Sequence, residues 1–204
     1  MTEEPLHPTL RPIFDELHGD RVTVRPYRSM DAQALFDAII ETRESLLPWM
    51  NFATQYHTFD DAREYINRVQ ARWLLREDFP VGFFETATGA YLGGSGLGPR
   101  DWQVPSFEIG YWIRTSSQGK GYVTEVVRLL SAYAFESLGA ERVMIRCDAR
   151  NQRSAAVALR AGFTFEGKLR KFAVATDGSI EDRLFFSRTR ADRQQDADGE
   201  QPVV

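Results

Sequence analysis

Apolar and polar positions divide the chain into segments of two different periods. Arg21-Val-Thr-Val-Arg25 alternates and predicts a strand closed by Pro26. Ser29 or Asp31 then caps a helix through Glu41, with Leu35, Phe36, Ile39 and Ile40 on its apolar side, and Glu44 to Met50 breaks that period. A second helix starts near Asp60-Asp61, acidic residues suited to a helix N-terminus, and runs past Trp73, carrying Tyr65, Ile66, Val69 and Leu74. Val81 to Leu97 holds two apolar runs around Thr88-Gly89, the pattern of an antiparallel hairpin, and Phe107 to Ile113 adds a strand.

The second half reads as clearly. A helix from Tyr122 or Val123 to about Leu138 lines up Val123, Val126, Val127, Leu130, Tyr133 and Ala134, and Gly139 is placed to end it. Strand 142–147 follows at once, so the strand before the helix and the strand after it are joined by a crossover and run parallel. Ser154 to Ala161 is a short helix ended by Gly162, and the last strands, Phe163 to Glu166 and Asp182 to Ser187, join around Asp177-Gly178. The predicted architecture is α+β, an antiparallel sheet that turns parallel at one crossover. Residues 1–19, with three prolines, read as an extended arm; 20–188 form the working domain; 189–204, mostly charge and glutamine, read as a frayed helix or a disordered tail.

Composition narrows the class. With 204 residues, 43% apolar and 26% charged, the chain suits one soluble domain, and no apolar run nears the roughly 20 residues that span a bilayer. The acidic N-terminus has no apolar signal core, so the expected location is cytoplasmic, with no membrane partner. A single cysteine, Cys147, excludes an intrachain disulfide and a cysteine-rich zinc site, and its setting in Arg142-Val-Met-Ile-Arg-Cys147 predicts inert core packing. His7, His18 and His57 lack metal-ligand spacing, so no metal is expected. A net charge of −4 argues against nucleic acid as partner. Arg142, Arg146, Arg150, Arg153 and Arg160 nevertheless crowd one segment, as a solvated face or as a further phosphate contact.

The chemistry concentrates where Glu108-Ile-Gly-Tyr-Trp-Ile113 is followed by Gln118-Gly-Lys-Gly-Tyr-Val-Thr-Glu125. A strand feeding a glycine turn that opens a helix presents free N–H groups and the positive end of the macrodipole, which suits a diphosphate. Gly119 and Gly121 admit close backbone approach and positive φ, while Lys120 adds charge. A turn that binds nothing is the plain alternative. Glu108 shares a strand face with Gly110 and Trp112 and is either a general base or a charge at a solvated edge. Asn151 fits a helix cap or an amide contact to a ligand, and Ser154, three residues on, offers a hydroxyl on the same side. Trp49, Tyr56 and Trp102 lie in irregular segments, as lining of a substrate mouth or as loop anchors.

Gln118-x-x-Gly121-x-Val123, the Glu108 to Ile113 strand and Asn151-Gln-Arg-Ser-Ala-Ala-Val-Ala-Leu-Arg-Ala-Gly-Phe163 together resemble the GNAT acetyltransferase superfamily, and within it the RimJ/RimL-type protein N-acetyltransferases. The likeness spans about residues 20–187 and includes Arg25-Pro26 and Leu47-Pro-Trp-Met50. It implies a mostly antiparallel sheet of about six to seven strands with a splayed central pair, flanked by about four helices. It implies acetyl-CoA as co-substrate, with Tyr111, Trp112 and Ile113 along the pantetheine and residues 118–123, Tyr122 included, at the pyrophosphate. Asn151 would position the pantetheine, Glu108 would act as base through water, and Ser154 would meet the departing thiolate. Dimerisation is a further family expectation.

Three positions depart from the family pattern. Val123 stands where Gly or Ala is usual, Ala158 where many relatives carry a tyrosine acid, and Ala173 where some RimL-like members carry a glutamate. The expected activity is acetyl transfer to a primary amine, with a protein or peptide α-amine as acceptor. A small-molecule amine and a non-catalytic acyl-CoA-binding module stand as alternatives.

Overall fold

The computed structural model describes residues 7–198. Its strands are β1 (Leu17–His18), β2 (Val22–Pro26), β3 (Phe79–Glu85), β4 (Tyr91–Asp101), β5 (Ser106–Ile113), β6 (Arg142–Asp148), β7 (Thr164–Val174) and β8 (Ile180–Thr189). The helices are α1 (Ala32–Leu46), α2 (Phe59–Leu75), α3 (Tyr122–Glu136), α4 (Gln152–Arg160) and α5 (Arg190–Asp198). All eight strands join one sheet in the order β1-β2-β3-β4-β5-β6-β8-β7. Only β5 and β6 pair in parallel, because α3 carries the chain across between them.

Each face of the sheet buries its own core. Val126, Val127, Leu130 and Ala134 of α3 and Ala155 and Ala158 of α4 pack with Phe107, Ile109, Val143 and Ile145. Leu35 and Ile39 of α1 and Ile66 and Val69 of α2 pack with Tyr27, Phe84 and Tyr91 on the opposite face. Alternation along β5 therefore sends Phe107 and Ile109 toward α3 and leaves Glu108, Gly110 and Trp112 on the side of α1 and α2. No described helix is long and apolar enough to cross a membrane.

The differences from the sequence reading have local causes. Helix α1 runs on to Leu46 because Thr42 and Leu46 continue its buried stripe, and it stops before Pro48, which has no N–H to extend the ladder. Strand β7 has eleven residues rather than four; nearly all are exposed and two register shifts interrupt its pairing, so it carries no alternation to read. The tail begins with α5, the helical one of its two readings. The backbone N–H and hydroxyl of Thr189 both donate to Asp192 Oδ2, at 2.7 and 2.8 Å, a capping arrangement that the Thr-x-x-Asp spacing encodes. The arm is packed on the domain: Leu17 and His18 pair with β2, and Phe14 meets Tyr133 and Trp73 edge-on at 4.7 and 5.3 Å. The expectations for residues 1–6 and 199–204 fall outside the described residues.

Leu130 is fully buried on α3, the helix that the glycine turn opens. Leu130→Ala should lower the urea-unfolding free energy by about 2–5 kcal/mol, the usual cost of such a cavity, and leave the spectroscopic signature of the folded state intact.

Candidate functional site

The glycine turn forms as predicted. A short 3-10 turn, Thr115–Ser117, leads into Gly119 (φ 76°) and Gly121 (φ 83°), the N-cap of α3. The backbone N–H groups of Gly119, Lys120, Gly121, Tyr122, Val123 and Thr124 make no hydrogen bond to any described residue. Consecutive free donors at a helix N-terminus form an anion cradle. Val123 does not crowd it; the side chain is 8% exposed and belongs to the core.

Side chains remote in sequence hold this turn. Glu41 on α1 accepts from Arg114 Nε at 2.8 Å and from the Ser116 N–H at 2.8 Å, and the Thr115 N–H donates to Thr42 Oγ1 at 3.0 Å. The Arg114 guanidinium, with the Ser116 donor, pulls the Glu41 carboxyl down from 4.5 to about 2. On the other flank Arg21 donates to the Lys120 carbonyl at 2.8 Å and pairs with Glu125 at 3.0 Å.

Next to the cradle the sheet forks. The parallel ladder joins Ser106, Phe107 and Glu108 to Arg142, Val143 and Met144, and then ends. Beyond it β5 pairs only with β4 and β6 only with β8, so the edge of β5 from Ile109 to Ile113 that faces β6 has no strand partner. Into this fork opens a cleft of about 830 Å³, lined by Tyr111, Trp112 and Ile113, by Gln118, Gly119, Gly121, Tyr122 and Val123, and by Asn151 and Ser154. Asn151 caps α4 through Oδ1, which accepts from the Ser154 N–H at 3.0 Å. The Ser154 hydroxyl is 3.0 Å from the Tyr111 phenol, whose pKa burial pushes up, so the phenol stays protonated. Of the five clustered arginines, Arg153 and Arg160 line this cleft, and Arg153 donates to Gln118 Oε1 at 3.1 Å; Arg142, Arg146 and Arg150 are spent on carboxylates.

A second cavity of about 370 Å³ lies on the opposite face of β5, and both cavities include Met50, Tyr111 and Trp112 in their walls. Glu108 lines it. Its Oε2 is held by Arg146 at 2.6 Å and by Arg100 at 2.9 and 3.0 Å, while Oε1 has no partner among the described residues. Tyr56 lines this cavity and Trp49 the larger cleft. Trp102 reaches neither: it stacks edge-on against Phe107 and Phe79 at 5.3 and 6.5 Å with Arg11 above it, so it anchors a loop. Cys147 is buried, and burial raises its thiol pKa, in keeping with packing rather than reactivity. No cluster that could hold a metal occurs among the described residues.

Sequence reasoning missed three parts of this arrangement. The Tyr111 phenol supplies a hydroxyl beside Ser154 from β5, where Ala158 on α4 offers none. The Arg100–Arg146 clamp joins strands that are far apart in sequence, and Tyr27, Tyr65 and Asp78 of the second cavity come from three separate segments. Only the alternation of β5, which puts Glu108 and Trp112 on one face, was available as a signal.

A row of free N–H donors fits a diphosphate, and an unpaired strand edge fits an amide-bearing chain laid alongside it, the two outer parts of coenzyme A. Comparisons with known proteins agree. A family profile described as "Acetyltransferase (GNAT) domain" matches residues 21–164. The "Putative ribosomal N-acetyltransferase YdaF" of Bacillus subtilis (strain 168) is 32% identical over 170 residues, 83% of this chain and 91% of the relative. Among solved structures, the microcin C7 self-immunity acetyltransferase MccE in complex with acetyl-CoA and AMP superposes with a TM-score of 0.78 at 24% identity, covering 84% of this chain and 93% of that one. RimL, the ribosomal L7/L12 α-N-protein acetyltransferase in complex with coenzyme A, does so with a TM-score of 0.79 at 19% identity, covering 85% and 97%.

The chain therefore belongs to the GNAT acetyltransferase family. Within that class it is an acetyl-CoA-dependent acyltransferase, and its relatives by sequence include one named as a ribosomal N-acetyltransferase.

Glu41 tests how the cradle is held. With a folded-state pKa depressed to about 2, its contribution to stability is fully present above about 4.5 and is lost as the pH falls toward 2. Glu41→Gln should abolish that part of the acid limb in pH-dependent melting. It should also weaken coenzyme A binding by roughly tenfold or more in calorimetry, the scale of one lost charge-assisted hydrogen bond.

Proposed function

We propose that this enzyme moves the acetyl group of acetyl-CoA to the α-amine of a protein or peptide N-terminus. The observation that carries the reading is the meeting of two cavities at Met50, Tyr111 and Trp112, beside the strand edge where the β5–β6 ladder has ended. One cavity has the phosphate cradle; the other has the carboxylate. Acetyl-CoA, when bound, supplies an activated acyl group as a thioester.

The residues on either side of β5 divide the proton work. An attacking amine must be neutral, and Glu108 Oε1, which no described residue engages, is free to accept its proton through a water. The arginine pair on Oε2 fixes the carboxylate in one orientation, so its open oxygen stays turned to the cavity. On the other face the hydroxyls of Ser154 and Tyr111, 3.0 Å apart, can pass a proton to a leaving thiolate. A thiolate leaves readily, so this donor has less to contribute than the base.

The polypeptide acceptor is favoured over a polycationic small molecule by charge. Such a molecule calls for several unpaired carboxylates, but of the two acids lining the second cavity Asp78 is engaged by Arg72 at 3.1 Å and Glu108 keeps only one oxygen open. The name of the B. subtilis relative points the same way. Location in the cytoplasm and activity as a dimer belong to the same proposal and rest on the family alone.

Two measurements test the reading. Thiol release from acetyl-CoA should occur with N-terminal peptides, and Glu108→Gln should lower kcat by about 100-fold or more, the usual contribution of a general base, with coenzyme A affinity changed less than threefold. Wild-type turnover by Glu108→Gln across the pH range would remove the base assignment. Ser154→Ala should lower kcat by roughly tenfold and leave KM for the peptide in place.

A further inference from the structure

The cleft beside the fork carries positive charge that nothing in its walls balances. Arg153 and Arg160 line it, and among the described residues no Asp or Glu does. Shortage of acids is not the cause, since the chain has 29 acidic side chains against 25 basic ones. The other arginines of this stretch, Arg142, Arg146 and Arg150, are each matched by a carboxylate. Arg153 instead donates to the neutral amide oxygen of Gln118, the residue before the cradle, at 3.1 Å. The Arg160 guanidinium has no hydrogen-bond or ion-pair partner among the described residues.

The orientation of α4 is a second and independent observation. Arg153, Ala156, Val157 and Arg160 recur at the spacing of one helix face and all line the cleft, whereas Leu159 stands outside it and is 56% exposed. Burial alone favours the opposite choice, with the leucine on the cleft side and the arginines in open water. Burial also raises the pKa of the Tyr111 phenol, and Arg160 is among the groups that oppose the rise, so its charge is felt inside the cleft. At the same end Arg128 of α3 donates to the Arg160 carbonyl at 2.6 Å and fixes the last turn of α4.

Resting on coenzyme A as the ligand of this cleft, we propose that Arg153 and Arg160 receive its ribose 3′-phosphate, and that the enzyme thereby distinguishes coenzyme A from its 3′-dephospho form. The N–H cradle suits the diphosphate, whose charge peptide dipoles can meet. A phosphomonoester is a different ligand, close to a dianion at neutral pH and with three oxygens open to donors. Guanidinium forks match those oxygens and stay charged, and with no carboxylate in the walls to compete, both remain available. A merely solvated helix face would be indifferent to that one phosphate.

Calorimetry with the full-length enzyme, coenzyme A and 3′-dephospho-coenzyme A tests this without any acceptor. Wild type should bind coenzyme A more tightly by about tenfold or more, the scale of charge-assisted hydrogen bonds to one anion. The double variant Arg153→Gln/Arg160→Gln should bring the two Kd values to within about twofold of each other, by weakening coenzyme A while melting temperature and affinity for the dephospho form stay near wild type. Raising salt from about 0.05 to 0.5 M should narrow the wild-type preference. Equal affinity of wild type for the two ligands, or a preference that survives in the double variant, overturns the inference and leaves coenzyme A as the ligand of the cleft. Weakening of both ligands by the same factor in the double variant also overturns it, since the arginines would then serve the diphosphate or the fold. Binding of neither ligand to wild type removes the cofactor reading and this inference with it.

Discussion

The constraint on which the site depends is the length of one parallel ladder. Strands β5 and β6 share three residue pairs, ending at Glu108 and Met144, and each then follows its antiparallel neighbour. Two things keep the fork from closing. The turn after β5 is pinned to α1 through Glu41 and Thr42, and the Tyr111 side chain reaches α4, where its hydroxyl is 3.0 Å from both oxygens of Ser154. A strand edge left open in this way is ordinarily a hazard, because unpaired amides invite another strand. Here the edge lies inside the molecule beside a row of free N–H donors, so the same unsatisfied valence serves a ligand of extended shape.

Electrostatics reinforces that geometry without any excess of cationic charge. The chain is acidic overall, at −4, and most arginines near the fork are matched by carboxylates. The cradle relies on peptide dipoles, whose direction is set by the backbone and carries no rotamer entropy. Glu108 shows the complementary device. Arginines from β4 and β6, the strands on either side of β5, converge on one of its oxygens, so the last rung of the parallel ladder and the proposed base are tied together.

How much of this was legible in the sequence depends on how local the signal is. The Gly119–Gly121 turn, the α3 stripe and the alternation of β5 are encoded within a few residues of one another, and the structure has them where the pattern puts them. Motif order was enough for the family. Strand β7 was read short because an exposed edge strand with two register shifts has no period. The second cavity was the least visible, since its walls combine Tyr27, Tyr65, Asp78 and Trp112 from four elements or loops, and no spacing rule relates them. Trp102 illustrates an ambiguity that only the fold resolves: an aromatic in an irregular segment suits a substrate mouth or a loop anchor, and its neighbours, Phe79 and Phe107, which make it an anchor, come from strands distant in sequence from the pattern around it.

The placement of the two cavities on opposite faces of β5 has a kinetic consequence. Their walls share only Met50, Tyr111 and Trp112, and each is otherwise lined by residues of its own. Under the proposed activity, product departure then needs no compulsory sequence: the shortened thiol can exit along the fork while the modified chain withdraws from the other side of the sheet, and turnover is free of the traffic jam that a single shared doorway imposes.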